Sequence, residues 1–273
     1  MSTRESPDRD VQSDSRLTDR HVVVTGAAQG IGRGIAVRCA RAGADVSVFD
    51  VDTETAAETA SLVRETGSEA IVVEVDVADG DSVDDGVETA VDELGPVHGV
   101  VNNAGVQRSV PLLETTEAEW DRHFAVNAKG PFLVSKRVAT QMIDDGIEGS
   151  IVNVSSVGAE RPFRGQGAYG ASKASVLALT TVLAKELSDH GITANAIKPG
   201  TVRTPMVDEW LEERAEQQDT TPEEVLSDSL DTHILDRAAQ PVEIGHMVVL
   251  LLSAEGEWIT GESIAVDGGY LKA

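Results

Sequence analysis

The sequence predicts an α/β fold built on a doubly wound, mainly seven-stranded parallel sheet with helices on both of its faces. Short apolar runs alternate with amphipathic stretches along most of the chain, which is the pattern of parallel βαβ units. Hydrophobic residues make up 41% of the 273 residues but aromatic residues only 3%, so Ala, Val, Ile and Leu must fill the core, as in a sheet buried on both faces. This length suits one large domain better than two.

The predicted elements follow in chain order from that alternation. Each strand candidate is a short apolar run, and the seven runs cover residues 22–25, 45–49, 70–75, 97–101, 149–154, 193–197 and 263–266. The amphipathic patterns between them predict helices over residues 31–42, 54–66, 81–94, 117–145, 168–189 and 241–253.

Two segments fall outside this alternation. Residues 1–19 carry no apolar periodicity, so we expect a disordered polar and acidic tail, followed by a single domain over residues 20–273. Residues 201–240 are rich in charge and contain Pro205 and Pro222. An interval of that length just before the last strand favours a helical lid over a separate domain.

The charge balance restricts the partners. The 47 acidic residues against 22 basic ones give a formal net charge of −25, which makes nucleic acid and anionic membranes poor partners. The acidic residues are dispersed and lysine is scarce, which favours a protein adapted to high salt over a merely acidic one. No apolar run approaches the roughly 20 residues that span a bilayer, and the N-terminus lacks a signal peptide's apolar segment, so we expect a soluble cytoplasmic protein. The single cysteine, Cys39, excludes an intramolecular disulfide, and a buried apolar role is expected for it.

A glycine turn follows the first strand. The run His21-Val-Val-Val-Thr25 leads into Gly26, Gly30 and Gly32 and then into a helical pattern. Glycines let the backbone turn tightly and approach phosphate oxygens, and amides at the helix start face the anion. The turn therefore predicts a site for a dinucleotide pyrophosphate, held by Gly26, Gln29, Gly30, Ile31 and Gly32.

A carboxylate ends the second predicted strand. Asp50 stands 24 residues after Gly26, where a carboxylate accepts both ribose hydroxyls of an adenosine and repels a 2′-phosphate. Val51, Ala28 and Gln29 offer no cation that would neutralise such a phosphate. The predicted cofactor is therefore NAD; the alternative for Asp50 is an ordinary turn residue.

A phenol and an ammonium share one predicted helix face. Tyr169 and Lys173 are four residues apart, and Ser156 precedes Tyr169 by thirteen. Oxidation of an alcohol needs a base for the hydroxyl proton, and a positive charge beside a phenol favours the phenolate. Taken singly, Ser156 could cap a strand and Lys173 could be solvated, and Ser155 is a competitor for the serine role.

The glycine spacing, Thr25-Gly-X-X-X-Gly-Ile-Gly32, resembles the short-chain dehydrogenase/reductase family, and further motifs keep to its pattern from about residue 20 to the end. These are Asp76-Val77, Asn102-Asn-Ala-Gly105, Pro199-Gly200 with Val202 and Thr204, and Gly261 through Gly269.

The resemblance implies a Rossmann-type fold, a homotetramer, and roles for individual residues. Ser156 would hydrogen-bond the substrate oxygen, Tyr169 would be the base, and Lys173 would also contact the nicotinamide ribose. Asn127, in Val126-Asn-Ala-Lys129, would hold a water that links Lys173 to solvent; its alternative is to plug a helix kink. The implied cofactor-binding set adds Asp76, Val77, Asn102, Gly105, Tyr169, Lys173, Val202 and Thr204.

The substrate is predicted only by class. The lid and the stretch from Gly158 to Gln166 should line the pocket, and the polarity of that stretch favours a sugar, polyol or sugar acid over a fatty substrate. The function expected is hydride transfer between NAD(H) and a secondary alcohol or ketone, without a metal. One alternative is an NADPH-dependent 3-oxoacyl thioester reductase, and a less favoured one is a non-catalytic nucleotide-sensing protein. The candidate substrate contacts are Gln107, Arg161, Gln166 and Trp210.

Overall fold

The computed structural model describes residues 15–273 and has a seven-stranded, all-parallel sheet at its centre. The strand order is β3-β2-β1-β4-β5-β6-β7, which confirms the predicted doubly wound α/β fold. The strands are β1 (His21–Thr25), β2 (Asp45–Asp50), β3 (Ala70–Glu74), β4 (Gly99–Asn102), β5 (Ser150–Val154), β6 (Thr193–Pro199) and β7 (Ser263–Val266).

Nine α-helices accompany the sheet within residues 15–273. Six predicted helical patterns correspond to seven of them, because the pattern over 117–145 is divided into two, and the other two form the lid. The helices are α1 (Gly30–Arg41), α2 (Thr53–Arg64), α3 (Gly80–Leu94), α4 (Glu117–Phe124), α5 (Gly130–Asp144), α6 (Gly167–Leu187), α7 (Pro205–Gln218), α8 (Pro222–Leu230) and α9 (Pro241–Leu252).

Each face of the sheet has its own core. On β1, Val22 and Val24 pack with residues of α1, α2 and α9, whereas Val23 packs with residues of α3, α5 and α6. Successive side chains of a strand point to opposite faces, so strands of consecutive valines and isoleucines fill both cores.

A π turn at Ala125–Lys129 joins α4 to α5 and carries Asn127. Pro131 follows and has no N–H to donate to the carbonyl of Asn127 four residues earlier, so regular α-helical bonding cannot continue through this point. Turns of this kind are frequent at functional sites.

The lid interval folds as two helices that share a small apolar cluster. Pro205 and Pro222 begin α7 and α8, a position where the missing N–H has no intrahelical partner to lose. Leu211, Ala215 and Val225 are buried between the two helices.

The predicted tail falls mostly on residues 1–14, outside the described residues. Within 15–19, Leu17 is completely buried and its amide donates to the carbonyl of Ala42 at 2.8 Å. A lone leucine gives no periodic signal, so the sequence pattern places the start of the domain too late. No helix within 15–273 has the length and apolar character needed to cross a membrane.

Candidate active site

A cleft of about 530 Å³ lies at the carboxyl ends of the strands. Residues that follow β1, β2, β4, β5 and β6 line it, so it spans the point between β1 and β4 where the strand order reverses. Open parallel sheets bind ligands at such points. The predicted site residues that line the cleft are Gly26, Gln29, Gly30, Ile31, Asp50, Asp76, Val77, Gly105, Gln107, Ser156, Gln166, Tyr169, Lys173, Val202, Thr204 and Trp210.

The N-terminus of α1 opens into this cleft without a capping side chain. Gln29 occupies the N-cap position, no side chain accepts a hydrogen bond there, and the first turn contains no acidic residue. By contrast, Asp52, Asp79 and Thr116 accept first-turn amides of α2, α3 and α4. The first amides of α1 therefore remain available for an anion, which the helix dipole also favours.

Close backbone packing shapes the glycine turn. Gly26 has φ +62°, and a Cβ on it would lie 2.6 Å from the Cα of Ala104. A Cβ on Gly32 would lie 2.2 Å from the carbonyl oxygen of Gly26, so this glycine supports the turn from behind and does not line the cleft. Asn103 donates through Nδ2 to the carbonyls of Thr25 and Gly26, at 3.0 and 2.8 Å.

Asp50 ends β2 beside the same turn. Its Oδ2 accepts the Ala28 amide at 2.9 Å and its Oδ1 accepts the Asp52 amide at 3.1 Å. Each carboxylate oxygen has a further lone pair, so the group can still accept hydroxyl donors from the cleft. The carboxylate is thus oriented toward the cleft by its own backbone neighbours.

Arg33 is a cation close to this turn, and it is held on the far side. Its guanidinium donates to the carbonyl of Ala28 at 2.6 and 3.0 Å and pairs with Glu58 at 3.0 Å. Arg33 does not line the cleft, so it adds no positive charge to the cleft wall beside the carboxylate of Asp50.

Four further residues that were predicted to contact the cofactor line the cleft. Asp76 is exposed and Val77 buried after β3, and Gly105 lies in the loop after β4. Thr204 caps α7 by accepting the Val207 amide, and its Cγ2 lies 3.3 Å from the position a Cβ on Gly30 would take. The lid therefore begins in direct contact with the glycine turn.

Ser156 and Tyr169 converge on Gly158. A Cβ on Gly158 would lie 3.3 Å from Ser156 Oγ and 3.4 Å from Tyr169 Cε1, so only glycine leaves the space between them open. The Gly158 amide donates to Ser156 Oγ at 3.0 Å, so the serine hydroxyl hydrogen points elsewhere, and the side chain also hydrogen-bonds Tyr169. The competitor Ser155 is buried and donates to the carbonyl of Lys173 at 2.8 Å.

Lys173 is buried one turn after Tyr169 and donates from Nζ to the carbonyl of Val154 at 2.9 Å. Burial lowers the pKa of its ammonium to about 8. Burial also raises the pKa of the Tyr169 phenol above its ordinary value, although a hydrogen bond with the Ser156 side chain partly offsets this. Desolvation disfavours both charged forms, so in the cofactor-free protein it opposes the predicted phenolate.

Asn127 does not line the cleft. It is fully buried, its Nδ2 donates to the carbonyl of Val106 at 2.9 Å and to Ser172 at 3.0 Å, and its Oδ1 accepts the Val106 amide at 2.8 Å. This amide ties the loop after β4 to α6. A Cβ on Gly105 would lie 3.2 Å from Lys173 Nζ and 3.3 Å from Asn127 Oδ1, so the two side chains meet across this glycine.

Two residues that were predicted to contact the cofactor or the substrate, Asn102 and Arg161, lie outside the cleft. Asn102 is 2% exposed and donates to Ser135 and Asn153 inside the fold, because one step along a strand turns a side chain to the opposite face. Its neighbour Asn103, which was not predicted to contact the cofactor, lines the cleft instead. Arg161 donates to main-chain oxygens of Tyr270 and Ala273 and stacks on the Tyr270 ring at 5.0 Å, outside the cleft.

Part of the cleft wall consists of aromatic rings and side-chain amides. Phe163 and Trp210 have ring centroids 6.3 Å apart and connect the loop after β5 to the lid. Gln107 and Gln166 line the same region. Sequence reasoning missed Phe163 and Ser229 as individual contacts, since a lone residue in a loop or lid carries no spacing signal. Within 15–273, no group of His, Cys, Asp and Glu side chains is placed to hold a metal ion.

Comparisons with known proteins agree over nearly the whole length. A family model described as enoyl-(acyl carrier protein) reductase matches residues 26–271. The chain is 37% identical to a short-chain type dehydrogenase/reductase of Picea abies, with 93% of each chain covered. It is 35% identical to an (S)-acetoin-forming diacetyl reductase of Staphylococcus epidermidis, over 91% of this chain and 97% of the relative. The crystal structure of a levodione reductase superposes with a TM-score of 0.89 at 33% identity, covering 93% and 98% of the two chains.

Proposed function

This chain belongs to the short-chain dehydrogenase/reductase family of oxidoreductases, and we propose that it transfers hydride between NAD(H) and a secondary alcohol or ketone. One observation carries the proposal. Ser156, Tyr169 and Lys173 line the same cleft as the uncapped start of α1 and the carboxylate of Asp50. A proton-transferring group and a dinucleotide cradle thus share one cavity.

The residues of the cleft suit the pyrophosphate and the adenosine ribose of NAD. The free amides at Gly30 and Ile31 suit the pyrophosphate, and Asp50 suits the hydroxyls of the adenosine ribose. Asp50 would repel a 2′-phosphate, and the nearby guanidinium of Arg33 is engaged by Glu58 and Ala28. Asp76, Val77, Gly105, Val202 and Thr204 would complete the cofactor contacts.

The bound nicotinamide supplies the hydride acceptor or donor, and the protein moves the proton. During oxidation, Ser156 turns its hydroxyl hydrogen from Tyr169 to the substrate oxygen, and Tyr169 takes the hydroxyl proton of the substrate. Because burial raises the phenol pKa, Tyr169 needs a positive charge nearby to act as a base. Lys173 contributes that charge while it is protonated, and its buried position keeps its charge unscreened by solvent.

We expect a sugar, polyol or sugar acid as substrate. Gln107, Gln166 and Ser229 offer hydrogen bonds in the cleft. Arg161 is bound to the C-terminal segment, so Arg122, which lines the cleft, is the arginine available to a sugar acid.

A second candidate function is an NADPH-dependent 3-oxoacyl thioester reductase, favoured by the name of a relative from Canis lupus familiaris, a (3R)-3-hydroxyacyl-CoA dehydrogenase that is 36% identical over 93% of this chain. Asp50 argues against it, since this activity would place a 2′-phosphate beside a carboxylate.

We further propose a cytoplasmic homotetramer adapted to high salt. Large apolar side chains are exposed on α4, α5 and α6, and a second group lies near β7, where Trp258 is 100% exposed. Association of copies would cover such surfaces. The apolar residues concerned are Trp120, Phe132, Ile143 and Val182 in the first group and Ile234, Leu235 and Trp258 in the second.

A substrate screen tests the proposal. Secondary alcohols, polyols, sugar acids and a 3-oxoacyl thioester are each offered with NAD(H) and NADP(H), in low salt and in molar KCl, and the absorbance of the reduced nicotinamide is followed. We expect turnover of at least one alcohol or polyol with NAD. Turnover of the thioester alone, with NADPH, would favour the second candidate, and no turnover of any compound would contradict both.

A further inference from the structure

We propose that Lys129 is a positioning residue for the adenosine end of the cofactor. It holds the loop between β3 and α3, residues 75–79, from outside the cleft, and it belongs to the same π turn that carries Asn127. This inference rests on the proposed function, because it concerns the cofactor that the cleft is proposed to bind.

The β3–α3 loop borders the part of the cleft beyond Asp50. In the strand order β3-β2-β1, the end of β3 is next to the end of β2, and the Val75 amide donates to the carbonyl of Asp50 at 3.1 Å. Asp50 is proposed to bind the adenosine ribose, so the next strand outward borders the base attached to that ribose. Val75, Asp76 and Val77 line the cleft there.

Lys129 fixes this loop through a main-chain oxygen. Its Nζ donates to the carbonyl of Ala78 at 2.8 Å, and the Ala78 amide donates to Oδ1 of Asp76 at 2.9 Å. The peptide groups on both sides of Ala78 are therefore held, one by the loop itself and one by a residue 51 positions later in the chain. Lys129 is exposed and does not line the cleft, so its ammonium contacts the loop and not the ligand.

The residue after Lys129 packs against the same loop. A Cβ on Gly130 would lie 2.9 Å from Cγ2 and 3.1 Å from Cβ of Val77, so a glycine lets the start of α5 approach this closely. Val77 is buried and also lines the cleft. Lys129 and Gly130 thus support two successive residues of the loop from one continuous piece of backbone.

The π turn is also bonded to the reactive part of the cleft. Asn127, two residues before Lys129, accepts the amide of Val106, which lines the cleft. Asn127 also donates to Ser172, whose hydroxyl donates to the carbonyl of Tyr169 at 2.8 Å. One turn of five residues therefore connects the loop at the adenosine end with the helix that carries the predicted base.

A loop that is already in place favours binding. When the loop is free to move, the ligand has to order it, and the apparent dissociation constant rises in inverse proportion to the fraction of molecules with the loop in place. Because Lys129 is exposed, its hydrogen bond is partly exchanged with water. We therefore expect its loss to weaken binding about 3- to 10-fold.

Calorimetry on the cofactor-free, full-length protein tests this role with AMP and NAD, which share the adenosine group. Lys129→Met removes the donor and should raise both dissociation constants about 3- to 10-fold. Lys129→Arg restores a cationic donor and should stay within about twofold of the wild type. In Lys129→Met the KM for NAD should rise with the dissociation constant, with a smaller change in kcat.

Two controls separate positioning from long-range attraction of the ligand's phosphate. Lys136→Met removes the same charge from an exposed position of α5 and should leave both dissociation constants unchanged. In about 1 M KCl the Debye length is about 3 Å, so an effect of distant charge disappears, whereas the effect of a held loop persists. Partial unfolding of a preparation lowers the calorimetric stoichiometry and not the affinity, so the comparison does not depend on equal folding.

The outcomes separate this inference from the proposed function. Unchanged affinity for AMP and NAD in Lys129→Met, an equal loss in Lys136→Met, no recovery in Lys129→Arg, or a loss that vanishes in about 1 M KCl would overturn the inference. The proposed function would stand in each of these cases, since the wild type would still bind NAD and turn over an alcohol or ketone. A wild type that binds neither AMP nor NAD would overturn both.

Discussion

The buried ammonium of Lys173 makes the stability of the cofactor-free protein depend on pH. Its pKa falls from 10.5 to about 8 because the side chain is desolvated in the folded state. Between those values the unfolded chain binds more protons at this site than the folded chain does. The free energy of unfolding therefore rises with pH between about 8 and 10.5. Below about pH 8 the ammonium is protonated in both states, and Lys173 then has its full destabilising effect.

The size of the effect follows from the shift. Over the whole titration of Lys173, the free energy of unfolding changes by about 3 kcal/mol, and about 2 kcal/mol of this change falls between pH 8 and pH 10. Replacing Lys173 by Met removes the titrating group. The free energy of unfolding of the wild type, minus that of Lys173→Met, should therefore rise by about 2 kcal/mol over this range.

Urea unfolding of the cofactor-free protein, followed by circular dichroism at several pH values, measures this difference. Lys185→Met is the matched control, because Lys185 lies on the same helix with its side chain exposed, and its difference from wild type should stay constant. A wild-type minus Lys173→Met difference that does not change between pH 8 and pH 10 would refute the reasoning, since it would mean that folding does not desolvate the ammonium.

Three further outcomes are expected. Asp50→Ala should reduce the preference for NAD over NADP, measured as the ratio of the two kcat/KM values, by about 100-fold. Asp50→Asn should separate the loss of the charge from the loss of the side chain. An unchanged ratio in both variants would be incompatible with the role assigned to Asp50. Gly32→Ala should weaken NAD binding at least tenfold in calorimetry, because its Cβ would lie 2.2 Å from the Gly26 oxygen, whereas Gly80→Ala, whose Cβ meets only Leu133 at 4.0 Å, should not. With a net charge of −25, melting temperature and tetramer content should rise from about 0.05 M to about 2 M KCl, and equal melting temperatures at both would argue against salt adaptation.

Much of the fold could be predicted because its signals are local. The alternation of valine-rich runs with amphipathic stretches gives every strand to within a few residues, since a parallel sheet requires both faces of each strand to be apolar. The signal of the glycine turn is equally local, because it is the spacing of Gly26, Gly30 and Gly32 directly after the first strand.

The rest depends on tertiary contacts that spacing does not encode. Asn102 and Asn103 are adjacent in the same motif, and which of them faces the cleft is decided by where β4 ends. Arg161 is drawn away by the ring of Tyr270, more than a hundred residues later. The opposed pKa shifts of Tyr169 and Lys173 come from burial by neighbouring elements, which residue spacing on one helix does not reveal.

Replacing Tyr169 by Phe tests the central claim most directly, because it removes one hydroxyl group and leaves the ring in place. With the substrate identified in the screen, kcat should fall at least about 100-fold, the range expected for loss of a proton-transferring group. The dissociation constant of NAD, measured by calorimetry on the same preparation, should change by no more than a few fold, since the glycine turn and Asp50 are untouched. A Phe variant that retains substantial kcat would contradict the account, because the proton would then have to pass through a group other than Tyr169.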